Sequence, residues 1–171
     1  MLPTDEKQAE ILDQIRINVA FEEMVVAVLA GALAGGALTL LFAAAELLNG
    51  FSLTLLVSAL LEGLFVSILI FLVGFGASVA FGAPLFAALE KRKRRNLWPY
   101  LGAAMGVAVA VLVLFTIGFP SVSAASIRTL AVIFLPPLIV SLVFARRMTP
   151  HWRAAEKAES EAEGRILFRI H

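Results

Sequence analysis

Residues 81–106 read FGAPLFAALEKRKRRNLWPYLGAAMG, and five consecutive cations inside them, Lys91, Arg92, Lys93, Arg94 and Arg95, decide how the rest of the chain is read. The cluster stands between two long apolar runs. Five positive charges cross a hydrocarbon core only at great cost, and cations flanking spanning helices collect on the cytoplasmic side. The cluster therefore pins the middle of the chain to one membrane face and sets the direction of the helices on either side. Trp98 and Tyr100 follow where an interfacial aromatic belt falls.

Composition agrees with a membrane assignment. Of 171 residues 60% are hydrophobic and only 16% charged, and the mean hydropathy is +0.92. A soluble domain is nearer half apolar and about one quarter charged. Uncharged runs of about twenty residues fix the class as integral membrane protein. The chain has no cysteine, which excludes disulfides, thiolate metal sites and Cys nucleophiles. The first 23 residues are polar and mixed in charge, without the basic-then-apolar order of a cleaved leader, so the N-terminus is expected to be retained.

Working outward, the sequence predicts an all-α fold: four transmembrane helices, an N-terminal amphipathic cytoplasmic helix (1–23) and a polar cytoplasmic tail (148–171). The spans are expected near 24–45, 53–79, 97–119 and 126–145, within a membrane domain of 24–147. In the N-terminal helix Ile11, Leu12, Ile15 and Val19 gather on one side. Such a helix lies on the headgroups or packs on its own protein, or else docks a partner. The tail AAEKAESEAEG has no apolar stripe and reads as a solvated helix or a disordered segment.

The second apolar run is too long. Leu53 to Leu89 as one helix extends about 55 Å, against a hydrocarbon core of about 30 Å. A break at Gly74-Phe75-Gly76 or Gly82-Ala83-Pro84 is expected, with an interfacial segment over 84–95; Pro84 disfavours helical geometry at Ala83. Pro120-Ser121-Val122-Ser123 marks a turn. Pro136 and Pro137 interrupt the fourth span, as a hinge or a fixed kink, and free the carbonyls of Val132 and Ile133.

Small residues recur where helices must approach. Gly31 and Gly35, with Gly36 beside them, form a flat strip in the first span, and Gly102 and Gly106 repeat the spacing in the third. Both pairs are expected to mediate helix packing. Of the 14 Lys and Arg residues, only Arg128 falls on the outer side of this arrangement, close enough to a helix end to snorkel. Arg146 and Arg147 close the fourth span on the cytoplasmic side. These two and the 91–95 cluster set the topology and offer contacts to anionic lipids.

Glu62 is the one ionisable group well inside an apolar run. Counted from Leu53 it lies near the midplane; counted back from Leu89 it lies at the outer headgroups. A midplane carboxylate must be protonated, paired or wet, which is the chemistry of a proton- or cation-linked site. An interfacial carboxylate, or a neutral one hydrogen-bonded between helices, needs no such role. The sequence holds no nucleotide loop, no Ser/His/Asp arrangement and no carboxylate pair. His151 and His171 stand apart, so no metal or other cofactor is expected. One short cluster against a membrane has no groove-reading element, so nucleic acid is not an expected partner.

Two functions are compatible with these residues in a protein expected in the bacterial inner membrane. One is an accessory, assembly or regulatory component acting by helix packing with itself or another membrane protein. The other is a small transporter or channel working as a homo-oligomer through Glu62. An embedded enzyme ranks behind both.

Overall fold

From Asp5 to Leu47 the chain has no proline, and Ala and Leu, both strong helix formers, are its commonest residues. In the computed structural model, which describes residues 5–48, 50–118 and 126–169 and side chains over 14–48, 50–118 and 126–161, this stretch is one helix. Helix α1 (Asp5–Leu47) has 43 residues and a length of about 64 Å. The expected amphipathic helix and the first span are thus a single rod. No breaker separates them, and Ala20, Met24 and Ala27 lie on one buried face across the expected junction.

The long second run is handled without a break at Gly74-Phe75-Gly76. Helix α2 (Leu53–Ala77) passes straight through those glycines. It then widens into a π-helical segment, Ser78–Gly82, before α3 (Ala83–Lys91), where Pro84 stands in the first turn. The break expected at Gly82-Ala83-Pro84 does not form either. Ala83 stays helical (φ −66°, ψ −46°), and its N–H reaches back five residues to the Ser78 carbonyl, so the chain passes Pro84 through a widened turn. Helix α3 ends in a tight reversal. Lys93 takes φ 52°, and the N–H groups of Lys93 and Arg94 return to the carbonyls of Glu90 and Leu89. That left-handed position usually carries glycine.

Helix α4 (Trp98–Gly118) and helix α5 (Ile127–Arg169) complete the chain. The turn expected at Pro120–Ser123 lies outside the described residues. The fourth span is not interrupted. It continues through Pro136, Pro137 and Pro150 and on into the tail, 43 residues in all. Four stretches are long and apolar enough to cross a membrane: Gln14–Leu47, Leu53–Lys91, Trp98–Gly118 and Ile127–Glu161.

The principal packing runs α2 on α1, α1 on α5, and α5 on α4, with α3 against α1 at the basic end. Partners fall in reverse order along α1 and α5: Glu23 with Arg147, Gly35 with Pro136, Glu46 with Arg128. They do so along α1 and α2 as well, Met24 lying beside Gly82 and Leu40 beside Gly63. Both pairs are therefore antiparallel.

Buried apolar side chains concentrate at the end carrying the 91–95 cluster. Ala20, Met24 and Ala27 of α1, Phe86 and Leu89 of α3, Tyr100 of α4, and Phe144, Met148 and Trp152 of α5 form one cluster. Its centre is aromatic: the Tyr100 ring centroid lies 5.0 Å from Phe144 and 6.1 Å from Trp152. Such ring pairs contribute about 0.5–1.5 kcal/mol each beyond the area they bury.

Candidate functional site

The glycine strip of α1 is where three helices meet. A Cβ on Gly31 would stand 3.0 Å from the Pro136 carbonyl oxygen, and one on Gly36 would stand 2.8 Å from the Gly63 carbonyl oxygen. Gly35 lies between Ile70 of α2 and the Pro136 ring of α5. The helices come this close because α1 presents glycines to side chains of its neighbours, Val140 and Pro136 of α5 and Ser67 and Ile70 of α2, and at Gly36 meets a second glycine, Gly63. Pro136 is therefore a buried packing element within a continuous helix, and Pro137 lends its carbonyl to the Ser141 hydroxyl at 3.0 Å.

Helix α4 differs from the expectation drawn from its glycine spacing. At Gly102 and Gly106 nothing lies within 4 Å of where a Cβ would stand, so they do not mediate packing inside this chain. Spacing alone cannot tell which way a helix is rotated. The second glycine set belongs instead to α2 and the π segment: Gly63 faces Leu40, Gly74 faces Val28 and Gly82 faces Met24. In the sequence, Gly74 and Gly82 carry the signal of a break, which obscures their packing role.

Glu62 has a partner that linear distance concealed. Arg128, in the first turn of α5, donates to the Glu62 carboxylate at 2.5 Å and to Glu46 of α1 at 3.2 Å. One guanidinium thus joins three helices. Gly82 lies against Met24, next to Glu23, and Glu62 is roughly 30 Å from Gly82 by helical rise. That is about one hydrocarbon thickness, not half of one. At the opposite end Arg147 donates to Glu23. Arg128 and Arg147 are roughly 28 Å apart along α5, so ion pairs bracket the apolar part of the α1–α5 pair at both ends.

The basic cluster divides into two sets. The Arg95 side chain is 3% exposed and donates to Glu90 and Glu159, at 2.7 Å each through its Nη2. Those hydrogen bonds, to Glu90 first and then Glu159, raise its already high pKa further, so it is a permanent cation. Lys93 adds a contact to Glu159 at 3.4 Å, and Arg16 one to Glu90 at 3.5 Å. The tail helix is thereby tied back to the loop. Lys91, Arg92 and Arg94 are exposed and make no ion pair among the described residues.

Inside the apolar part, the buried hydroxyls turn inward on their own helices. Thr39, Ser78 and Ser141 donate to the carbonyls of Gly35, Gly74 and Pro137. Two grooves open at the basic end. One, of about 480 Å³, lies between residues 95–97 and α5; the other, of about 320 Å³, lies between α1, α3 and α5 and includes His151. Among the described residues no three His, Cys, Asp or Glu side chains stand together as metal ligands. Comparison with protein-family models, with curated proteins and with solved structures gave no match.

Proposed function

We propose that this chain is a four-span protein of the bacterial inner membrane with both ends and the 91–95 loop in the cytoplasm. In this reading it acts by helix packing, as an accessory, assembly or regulatory component that joins a second copy or another membrane protein. The observation that carries it is the engagement of Glu62 by Arg128, one hydrocarbon thickness from the basic end. A carboxylate held there by a guanidinium serves to fasten helices at the outer interface. A carrier's carboxylate must instead alternate between proton and substrate. The hydroxyls bonded back to their own helices support the same reading, as do α1 and α5, which at about 64 Å reach well beyond one bilayer core.

The test pairs two measurements. The chain is purified in mild detergent and weighed intact by native mass spectrometry, and proton and cation flux is measured in liposomes for wild type and Glu62→Gln. A stoichiometric complex without flux is the expected result. Flux that vanishes in Glu62→Gln, from a chain that retains no partner, overturns the reading in favour of transport through Glu62.

A further inference from the structure

The groove between residues 95–97 and α5 has an order that matches one kind of ligand. Its α5 wall is a single helical face, beginning at Leu142 and Ala145, continuing through Arg146 and Thr149, and reaching Trp152 and Arg153. Leu97 lines the other side. Arg146 neighbours Arg147, which is paired with Glu23 where the apolar part of α1 ends. Leu142 therefore lies within the apolar zone, roughly 6 Å along the axis from Arg146. Arg153 lies two turns, roughly 10 Å, beyond Arg146 on the other side. Apolar wall, then cation, then cation is the sequence met by a lipid: acyl chain, then headgroup.

Both arginines are exposed, and neither has an ion-pair partner among the described residues. They differ in this from Arg95 and Arg147, whose guanidinium groups are occupied. The Thr149 hydroxyl already donates to the Ala145 carbonyl at 2.7 Å, so it has no proton to offer an anion. Glu156, one turn beyond Arg153, sets the outer limit by repelling negative charge. The exposed Lys91, Arg92 and Arg94 stand just before the loop and add a diffuse positive field.

We propose that this groove is a binding site for one anionic glycerophospholipid of the cytoplasmic leaflet, its phosphate between Arg146 and Arg153 and an acyl chain along Leu97 and Leu142. The proposal rests on the orientation given above, in which the basic end faces that leaflet. Two guanidinium groups flanking one phosphate supply charge complementarity and hydrogen-bond donors together. An uncharged partner surface would leave both cations unmatched.

The test uses delipidated chain in non-ionic detergent, titrated with dioleoyl phosphatidylglycerol or dioleoyl phosphatidylcholine, with retained lipid counted by native mass spectrometry. One phosphatidylglycerol per chain should be retained in preference to phosphatidylcholine. The double variant Arg146→Gln/Arg153→Gln should bind it roughly 30-fold more weakly, as expected for losing two membrane-surface cations. The triple variant Lys91→Gln/Arg92→Gln/Arg94→Gln should lose much less, and Arg146→Lys/Arg153→Lys should keep most of the affinity, which separates lost charge from lost folding. Soluble glycerol phosphate should not displace the lipid, because it lacks the acyl chain. Equal retention of both lipids, an unaffected double variant, a triple variant as weak as the double, or displacement by glycerol phosphate would each overturn the site. Lipid titration in detergent has no sidedness, so a failed orientation shows up only in topology reporters, and a failed site only here.

Discussion

Arg128 is the residue whose role depends most on what surrounds it. It is an outlier by charge count, yet it holds Glu46 and Glu62 at once. Replacing it leaves the half-exposed Glu62 carboxylate without its guanidinium partner, while replacing both removes that mismatch. Arg128→Gln should therefore lower stability more than Arg128→Gln/Glu62→Gln does, with a coupling of about 0.5–1 kcal/mol typical of partly exposed pairs. Thermal unfolding of the four proteins of that cycle in one detergent measures it; strictly additive effects would mean that the pair contributes nothing. Arg95 poses a different case because its side chain is buried between two carboxylates. Arg95→Ala leaves Glu90 and Glu159 facing each other and should cost about 1–3 kcal/mol, a buried-pair loss discounted for the exposure of Glu159. The expected signature is local: limited proteolysis should cut within 153–169 sooner than in wild type, while the apolar spans stay protected.

At the scale of helices, close approach between α1 and α2 draws on glycines of both helices, whereas toward α5 only α1 supplies them, against Pro136 and Val140. Gly36→Ala already places a methyl group 2.8 Å from the Gly63 carbonyl oxygen, so α1 and α2 must separate. Its melting temperature in detergent should fall, and Gly36→Leu should not yield folded protein. Gly106→Leu makes the opposite prediction, because the space beside Gly106 is open within the chain. Its monomer should melt as wild type does. A Gly106→Leu monomer as unstable as Gly36→Ala would show that α4 packs on its glycine face after all. That the runs of α2 and α4 are helical was legible in their apolar composition; the break expected at Pro84 was not met, since Ala83 stays helical and the chain widens into a π segment just before it. The rotation of each helix about its own axis was not, because a fully apolar helix has no polar face to mark its outward side.

For the molecule as a whole, the proposed orientation takes the direction of every helix from the basic cluster. Reporter fusions after Gly50, Arg95, Ser123 and Gly164 should read outside, inside, outside, inside; an outside signal at Arg95 would reverse the arrangement. Charge and hydropathy determined by themselves that four stretches suit a bilayer and that charge gathers at helix ends, since transfer of charge into hydrocarbon is penalised whatever the tertiary contacts. They also marked Glu62 as an exception. Only the tertiary structure decided that Glu62 meets Arg128, 66 positions along the chain, that the N-terminal segment and the tail extend α1 and α5 as unbroken rods, and that a buried cluster with aromatic rings at its centre lies at the basic end. The physical reason is one of range. The cost of burying a charge is fixed by a residue and its immediate neighbours in sequence, whereas ion pairing and close packing depend on which helix faces which, and that is settled only when all of them fold together.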